Sequence, residues 1–349
     1  MLSTCRGQRL THIRTRRVAP FFALLSVVIL SACAGGSVVK IEDTGALPVE
    51  LDKELQKQFE VKESTEQPTL VPAQAQGSAT VLAKASTAKP VAKAKKTKGA
   101  KKRGFSFLSR RPPKDPIWIG EKQVLNITYF GMSAGDFTLT ALPYKEINSR
   151  KVYHVQGTAQ SSKVFSVVYK LKDTIESFID FDGLFSHRFH IVLEESKQTR
   201  NSLELYDPEK AQTFFWNRWN HHKKGYSEVK DFFPMTPFAQ DSLSALYYLR
   251  SQPLTNGSVV TFPVVSEGKN WEAVVTVVRR EVLDTPMGKI PAIVLKPETK
   301  YQGILKKEGD SYIWLSDDDR RLLLRLEAKV KIGKVLAILK KFEPGIQSP

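Results

Sequence analysis

Three acidic residues in one short segment are the first candidates for chemistry in this chain. Asp173, Glu176 and Asp180 fall in a run of alternating apolar and polar residues, which is typical of a β-strand. Because side chains alternate between the two faces of a strand, Glu176 and Asp180 would share one face and Asp173 would lie on the opposite, largely apolar face. A carboxyl group that faces a core needs a partner or a shifted pKa. We expect Asp173 to form a salt bridge with a basic residue such as Arg320 or Arg325, with a catalytic role as the alternative.

A second acidic cluster, Asp317–Asp319, occupies a segment with the character of a turn. It lacks the alternating ligands and the closing glutamate of an EF-hand calcium loop, so a solvated hairpin turn is expected. If the chain were a hydrolase, its acids would come from Asp173, Glu176 and this turn.

Aromatic residues are concentrated in the segment 214–219, which contains Trp216 and Trp219 and is followed by the basic run 221–224. An aromatic strand beside a basic loop could stack sugar rings or grip a peptide. Packing of the aromatic side chains in a core, next to a basic turn, is the expected alternative. Trp216 and Trp219, together with Asp173 and Glu176, are therefore candidates for ligand binding or for structural polar contacts.

The histidines do not have the spacing of a metal site. His187 and His190 would lie on opposite faces of a strand, and the adjacent His221 and His222 would also point apart. A zinc site needs three or four converging ligands. The sequence therefore predicts no metal site, no cofactor and no defined set of catalytic residues.

The elements that must position these residues are mostly β-strands. From about Pro116 onward, short alternating runs are separated by turn residues at intervals of roughly ten residues, which predicts an all-β fold. The exception is the segment 241–250, where an N-cap aspartate precedes apolar residues at helical spacing. We predict one large antiparallel domain over residues 116–349, with a curved, barrel-like or sandwich-like sheet and a single helix packed on or across it.

The N-terminus has the order of a secretory signal. Five arginines precede an apolar run over residues 18–30, which is short for a membrane-spanning helix. The residues Leu30–Cys33 resemble a bacterial lipobox, which implies lipidation of Cys33 and removal of residues 1–32. Ala34 follows the cysteine where lipoproteins of the inner membrane typically carry Asp, so the resemblance favours the outer membrane, with the domain in the periplasm. Several acyl chains would give a lasting anchor.

Residues 33–115 have the composition of a disordered tether. Residues 34–115 contain no Trp or Tyr, and the stretch Lys84–Lys114 has twelve basic residues and no acid. That stretch could contact anionic cell-wall polymers or lipid headgroups, or it could simply be a charged spacer. Apolar residues at i, i+4 spacing between Leu47 and Phe59 leave open a short amphipathic helix around residues 48–60, with transient helix as the alternative.

The net charge of +17 is divided among the three segments as +5, +7 and +5. Only +5 therefore belongs to the domain that would bind a partner, and the export signal would remove the chain from the cytoplasm. These features argue against nucleic acid as a partner.

Four stretches of the β domain carry a family resemblance. They are Gly131–Gly135, Ser161–Ser177, Asp241–Arg250 and Ile313–Arg321. In this order they resemble the bacterial "domain of unknown function 3108" family over about residues 118–343. The resemblance implies an exported, β-rich domain and supplies no catalytic residues.

We therefore expect a lipid-anchored, non-enzymatic envelope protein whose β domain binds an unidentified ligand or partner such as cell wall, lipid or protein. The alternative is an envelope hydrolase that uses carboxylates of the β domain. A closed apolar cavity inside the sheet would favour lipid binding.

Overall fold

The computed structural model describes residues 51–68, 109–301, 304–306, 311–330 and 333–347. The predicted signal peptide, Cys33 and most of the basic stretch Lys84–Lys114 lie outside these ranges. Among the described residues, no helix is long and apolar enough to cross a membrane.

The described chain forms two α-helices and sixteen strands. In chain order they are α1 (Lys53–Gln58), β1 (Lys62–Glu63), β2 (Lys122–Tyr129), β3 (Met132–Ile147), β4 (Arg150–Ser161), β5 (Leu171–Asp180), β6 (Ser186–Glu195), β7 (Gln198–Asp207), β8 (Gln212–His221), β9 (Gly225–Pro234), α2 (Ser242–Arg250), β10 (Val259–Ser266), β11 (Lys269–Thr285), β12 (Gly288–Tyr301), β13 (Ile304–Lys306), β14 (Ser311–Ser316), β15 (Leu323–Lys329) and β16 (Lys334–Glu343). A 3₁₀ turn, Phe165–Val167, lies between β4 and β5.

All the strands belong to one curved antiparallel sheet. Its main path runs β10-β11-β12-β14-β15-β16-β2-β3-β4-β5-β6-β7-β8-β9, while β1 pairs with β3 and β13 pairs with β12. Strand β2 shows the expected alternation, because every second residue is buried. The predicted mainly β class, with a large curved sheet, is confirmed.

The sheet bends where strands β3 and β4 come very close. Gly135 follows a register shift between β2 and β3, and a Cβ atom at this position would collide with the carbonyl oxygen of Gln160 on β4. Only glycine fits such a close backbone contact.

Side chains bring the two ends of the sheet together. The buried carboxylate of Glu204 on β7 accepts hydrogen bonds from the backbone N–H groups of Glu267 (3.0 Å) and Gly268 (2.9 Å) in the β10–β11 turn. Asn270 of β11 donates from Nδ2 to the carbonyl oxygen of Pro234 at the end of β9 (2.7 Å). These contacts hold the β10–β11 hairpin against β7 and β9, so the open sheet encloses an interior.

Helix α2 begins where the sequence predicts. Asp241 caps it by accepting from the N–H groups of Leu243 and Ser244, and the Ser244 hydroxyl accepts from the Asp241 N–H, which completes a capping box. Its residues Leu243 and Leu249 are buried in the main core. We call the side of the sheet against which α2 packs the inner face.

Helix α1 packs on the outer face, within the segment whose composition indicates a tether. Leu55 and Phe59 are buried in a second apolar cluster with Phe178, Leu205 and Trp216. The amphipathic helix left open by the sequence is therefore present and has a partner surface. Burial of its apolar face supplies the stability that a six-residue helix lacks alone.

Candidate functional site

An apolar cavity of about 140 Å³ lies between α2 and the inner face of the sheet. Its lining comes from both halves of the sheet and from the helix: Phe137, Gly157, Ala159, Asp173, Ile175, Leu193, Ser242, Leu243, Ala245, Leu246, Leu249, Phe262, Ala273, Val275, Pro297, Glu298, Thr299, Ile313, Leu323 and Leu326. Apolar cavities of about 150 Å³ stay dry and can bind a molecule the size of benzene. The cavity is thus large enough for a ring or a short segment of an alkyl chain.

Small residues at facing positions keep this space open. Ala245 on α2 faces walls that include Gly157 and Ala159 on β4 and Ala273 on β11. A Cβ atom at Gly157 would lie 2.7 Å from Cγ1 of Ile175 and 3.2 Å from Cε2 of Phe137. Larger residues at these positions would occupy the space between the helix and the sheet.

Asp173 is a buried carboxyl group in the wall of the cavity. It lies opposite Ala159 on β4 and Leu193 on β6, and only 4% of its surface is exposed. Its Oδ1 accepts a hydrogen bond from the N–H group of Glu194 (3.2 Å), whereas its Oδ2 has no partner among the described residues. Burial raises the pKa of Asp173 well above its usual range, and the nearby charge of Glu195 raises it further.

Ser242, the first residue of α2, is a second polar residue in the wall of the cavity. It lines the same cavity, and its buried hydroxyl oxygen has no hydrogen-bond partner in the described part of the chain. Buried polar groups in proteins are normally hydrogen-bonded. A polar group of a ligand could therefore form hydrogen bonds with these two unsatisfied atoms, which lie in a mostly apolar cavity.

Glu195 adds a second carboxyl group beside Asp173. Its Oε2 accepts hydrogen bonds from the hydroxyl of Tyr169 and from Nε2 of Gln198 (2.8 Å), while its Oε1 has no partner within the ranges that the structure describes. Burial raises the pKa of Glu195 despite these hydrogen bonds, which act to lower it. Trp219 extends this network because its indole Nε1 donates to Oε1 of Gln198 (2.8 Å).

The expected salt bridge of Asp173 is not formed. Arg320 pairs with Glu121, and Arg325 pairs with Glu327 at 2.7 Å. The reason lies in the register of the sheet, which places Asp173 between Ala159 and Leu193. The sequence reasoning identified the unusual carboxyl group but assigned it the wrong partner.

Glu176 lies on the outer face of β5, away from the cavity. Its Oε1 is 3.0 Å from Nε2 of His154, and its Oε2 is 3.9 Å from Nδ1 of His190. The hydrogen bond with His154 and then the contact with His190 hold the pKa of Glu176 well below its usual range. Glu176 thus belongs to a polar cluster of the outer face, and it does not converge with Asp173.

The two candidate tryptophans have different surroundings. Trp216 is 1% exposed, belongs to the outer-face cluster beneath α1, and donates from Nε1 to Oε1 of Glu228 (2.9 Å). Core packing, the expected alternative to ring stacking, therefore accounts for Trp216. Trp219 is half-buried, with the Lys224 ammonium 4.9 Å from its ring centroid.

The acidic turn Asp317–Asp319 forms its own ion pairs and backbone hydrogen bonds, and none of these involves Asp173. Asp317 pairs with Arg280 (2.8 Å), and Oδ1 of Asp318 accepts from the N–H groups of Arg320 and Arg321 (both 3.0 Å). Asp319 pairs with Lys114 (2.6 Å). Within the described ranges, no three His, Cys, Asp or Glu side chains are grouped so that they could hold a metal ion.

Sequence reasoning missed Glu195 and Ser242 as members of the site. Glu195 continues the alternating series Phe189, Ile191, Leu193 by one step, so extending the period would have placed it on the inner face. Ser242 looked like an ordinary residue of a helix start. Its position in the cavity follows from the docking of α2, for which the local sequence holds no signal.

Comparison with known proteins identifies a family whose function is unknown. No curated protein matches the chain. The structure is similar to a beta-barrel-like protein of the domain of unknown function DUF1849 from Brucella abortus, with 10% identity and a TM-score of 0.41, over 65% of this chain and 98% of that one. It is also similar to a candidate exported protein with a YmcC-like fold from Bacteroides fragilis, with 11% identity and a TM-score of 0.29, over 67% and 99% of the two chains. For a candidate lipoprotein from Parabacteroides distasonis, the identity is 10% and the TM-score is 0.29, over 68% of this chain and 100% of that one.

The family described as "Protein of unknown function (DUF3108)" matches residues 124–340, most of the β domain, and the chain belongs to this family.

Proposed function

We propose that this chain is a lipid-anchored envelope protein whose β domain binds a small amphipathic ligand in the cavity beside α2. The observation that carries the binding role is an apolar cavity with two unsatisfied polar atoms, Oδ2 of Asp173 and the Ser242 hydroxyl. An apolar part of the ligand would fill the space near Phe262 and Leu249. Its polar group would hydrogen-bond to Asp173 and Ser242.

The location rests on the N-terminal sequence. The lipobox-like residues Leu30–Cys33 support an acyl anchor at Cys33, and Ala34 supports the outer membrane, with the domain in the periplasm. The basic stretch Lys84–Lys114 would contact anionic cell-wall polymers or lipid headgroups. Mass spectrometry of the mature protein from its native host tests the anchor. A diacylglyceryl group on an N-terminal Cys33 supports it, and an unmodified cysteine contradicts it.

Filling the cavity tests the binding role. The probe is benzyl alcohol, a single ring that carries one hydroxyl group, and its binding is measured by isothermal titration calorimetry. Ala273→Leu places a larger side chain in the cavity, and Val278→Leu is the matched control on the exposed part of the same strand. We expect Ala273→Leu to weaken binding at least tenfold and Val278→Leu to leave it unchanged. Equal binding by both folded variants would contradict the proposal.

A second candidate function, hydrolysis, is favoured by the adjacent carboxyl groups of Asp173 and Glu195. Two neighbouring carboxyl groups with raised pKa values can divide the roles of acid and base. Ester, amide and glycoside substrates should be tested with the wild type and with Asp173→Asn and Glu195→Gln. Turnover that both variants lose while their near-ultraviolet circular dichroism stays that of the wild type would support an enzyme. Absence of turnover in the wild type leaves binding as the function.

A further inference from the structure

Five exposed apolar side chains lie together at one end of the sheet. The end of β4 pairs with the start of β3, so the β4–β5 connection lies beside the β2–β3 turn. Ser162 joins the two segments, because its N–H group donates to the carbonyl oxygen of Ala134 (2.9 Å) and its hydroxyl to that of Ser133 (3.3 Å). We call this surface the apolar end; its exposed residues are Phe130, Met132, Val164, Val167 and Val168.

The β4–β5 connection is held in a defined conformation that presents its valines to solvent. The Phe165 N–H group donates to the Ser162 hydroxyl (3.1 Å), and the Tyr169 N–H group to the carbonyl oxygen of Phe165 (2.9 Å). Phe165 and Tyr169 pack on the main core. Val164 and Val167 are left 84% and 87% exposed. Neighbouring exposed apolar side chains on a fixed surface usually mark an interaction site.

The charge around the apolar end is positive. Lys163 and Lys170 flank the valines, and Lys223 and Lys224 lie in the β8–β9 turn at the same end of the sheet. Among the described residues, none of these four lysines forms an ion pair with a carboxylate. Glu194 is engaged with Lys172 (3.8 Å), and Glu195 is buried. Neither of these two carboxylates therefore neutralises the four lysines.

We propose that the apolar end docks on an anionic lipid bilayer, with the valines and Phe130 in the interfacial region and the lysines at the headgroup phosphates. The apolar side chains stand on protruding turns, which fits insertion into a deformable surface. Basic residues around exposed apolar groups are the combination that recognises anionic membranes. This docking uses the folded domain itself and is separate from both the cavity and the basic stretch Lys84–Lys114.

The predicted anchor is compatible with this orientation. Residues 34–50 separate Cys33 from Leu51, the first described residue before α1. Seventeen residues can span at most about 60 Å. The ten-residue strand β6, which α1 lies near, is only about 33 Å long. An acyl anchor and the apolar end can therefore reach the same membrane.

A dye at a single position tests the docking. The chain from residue 34 onward keeps every residue that the structure describes and contains no cysteine. Val167→Cys at the apolar end and Val282→Cys, the matched control near the opposite end, are each labelled with an environment-sensitive nitrobenzoxadiazole dye. Vesicles of phosphatidylethanolamine and phosphatidylglycerol are compared with vesicles of pure phosphatidylcholine.

We expect the label at position 167 to brighten at least twofold and to shift to the blue with the anionic vesicles only, while the label at position 282 stays unchanged. In sedimentation with the same vesicles, Val164→Ser/Val167→Ser/Val168→Ser should reduce the bound fraction at least threefold relative to Val282→Ser, with unchanged near-ultraviolet circular dichroism. If the protein sediments but neither label responds, the basic stretch binds alone and the proposal is wrong. Equal responses at both positions, or no response to either vesicle, would also overturn it.

Discussion

Asp173 and Glu195 lie diagonally across β5 and β6 on the inner face of the sheet, and each carboxyl group has one oxygen that accepts no hydrogen bond from any described residue. Burial raises the pKa of both groups, and the charge of Glu195 adds to the shift at Asp173. The pair therefore retains protons at a pH where carboxyl groups in water are ionised. A neutral carboxyl group can both donate and accept a hydrogen bond. The cavity could therefore bind ligands whose polar group is either a donor or an acceptor.

The raised pKa of Asp173 predicts a stability that falls as the pH rises. Above about pH 4 the unfolded chain releases this proton, whereas the folded protein retains it until the pH approaches its raised pKa. Because the folded state binds more protons in that window, the free energy of unfolding decreases with increasing pH. Asp173→Asn should flatten this decrease between pH 5 and 8 by about 1 kcal/mol or more. Urea unfolding at several pH values measures it.

Asp284→Asn, at an exposed position of β11, serves as the control for this experiment. It removes a carboxyl group without changing the buried pair, so its pH profile should match that of the wild type. A profile of Asp173→Asn that is parallel to the wild-type profile would show that Asp173 titrates normally in the folded protein.

A buried ion pair should hold α2 against the sheet. Nη1 of Arg250, at the last turn of the helix, is 2.8 Å from Oε1 of Glu121, and both side chains are 1% exposed. Arg250→Met would leave Glu121 buried with only Arg320 as a charged partner. We expect a loss of about 3–5 kcal/mol in the free energy of unfolding, measured in urea.

The surface pair of Arg321 and Asp317 is the comparison for Arg250. Arg321→Met should cost no more than about 1 kcal/mol, because exposed ion pairs contribute little. The double variant Glu121→Gln/Arg250→Met should recover part of the loss, since it also removes the uncompensated charge. A double variant less stable than Arg250→Met would contradict this account.

Helix α1 should be an integral part of the domain. Leu55→Ala would leave a cavity in the outer-face cluster with Phe178 and Trp216, and such changes typically cost about 2–5 kcal/mol. Lys57→Ala, on the exposed side of the same helix, should be close to neutral. Urea unfolding gives the global effect, and hydrogen exchange over residues 51–67 shows whether α1 opens alone. Equal values for the two variants would mean that α1 does not contribute to the fold.

The features that could be predicted from the sequence are those set by residues close together in the chain. Alternation predicted the β class and placed Asp173 and Glu176 on opposite faces of one strand, and the cap at Asp241 predicted the start of α2. Contacts between distant segments were not predictable. The partner of Asp173 depends on the register between β5 and β6, and the partner of Arg250 is 129 residues away at Glu121. The docking of α1 depends on apolar residues that only the assembled outer face brings together.

Two strand glycines should differ in their tolerance of alanine. At Gly135 a Cβ atom would collide with the backbone of Gln160, which can move only if β3 and β4 separate. At Gly157 the nearest atoms belong to the side chain of Ile175, which borders the cavity and has space to shift. We expect Gly135→Ala to cost about 1–3 kcal/mol, as overpacking does, and Gly157→Ala to cost less than about 1 kcal/mol. Neither residue has a positive φ, so backbone strain does not explain the difference. Urea unfolding of the two variants measures it, and a loss at Gly157 equal to that at Gly135 would mean that the space beside Ile175 is not available in the folded protein.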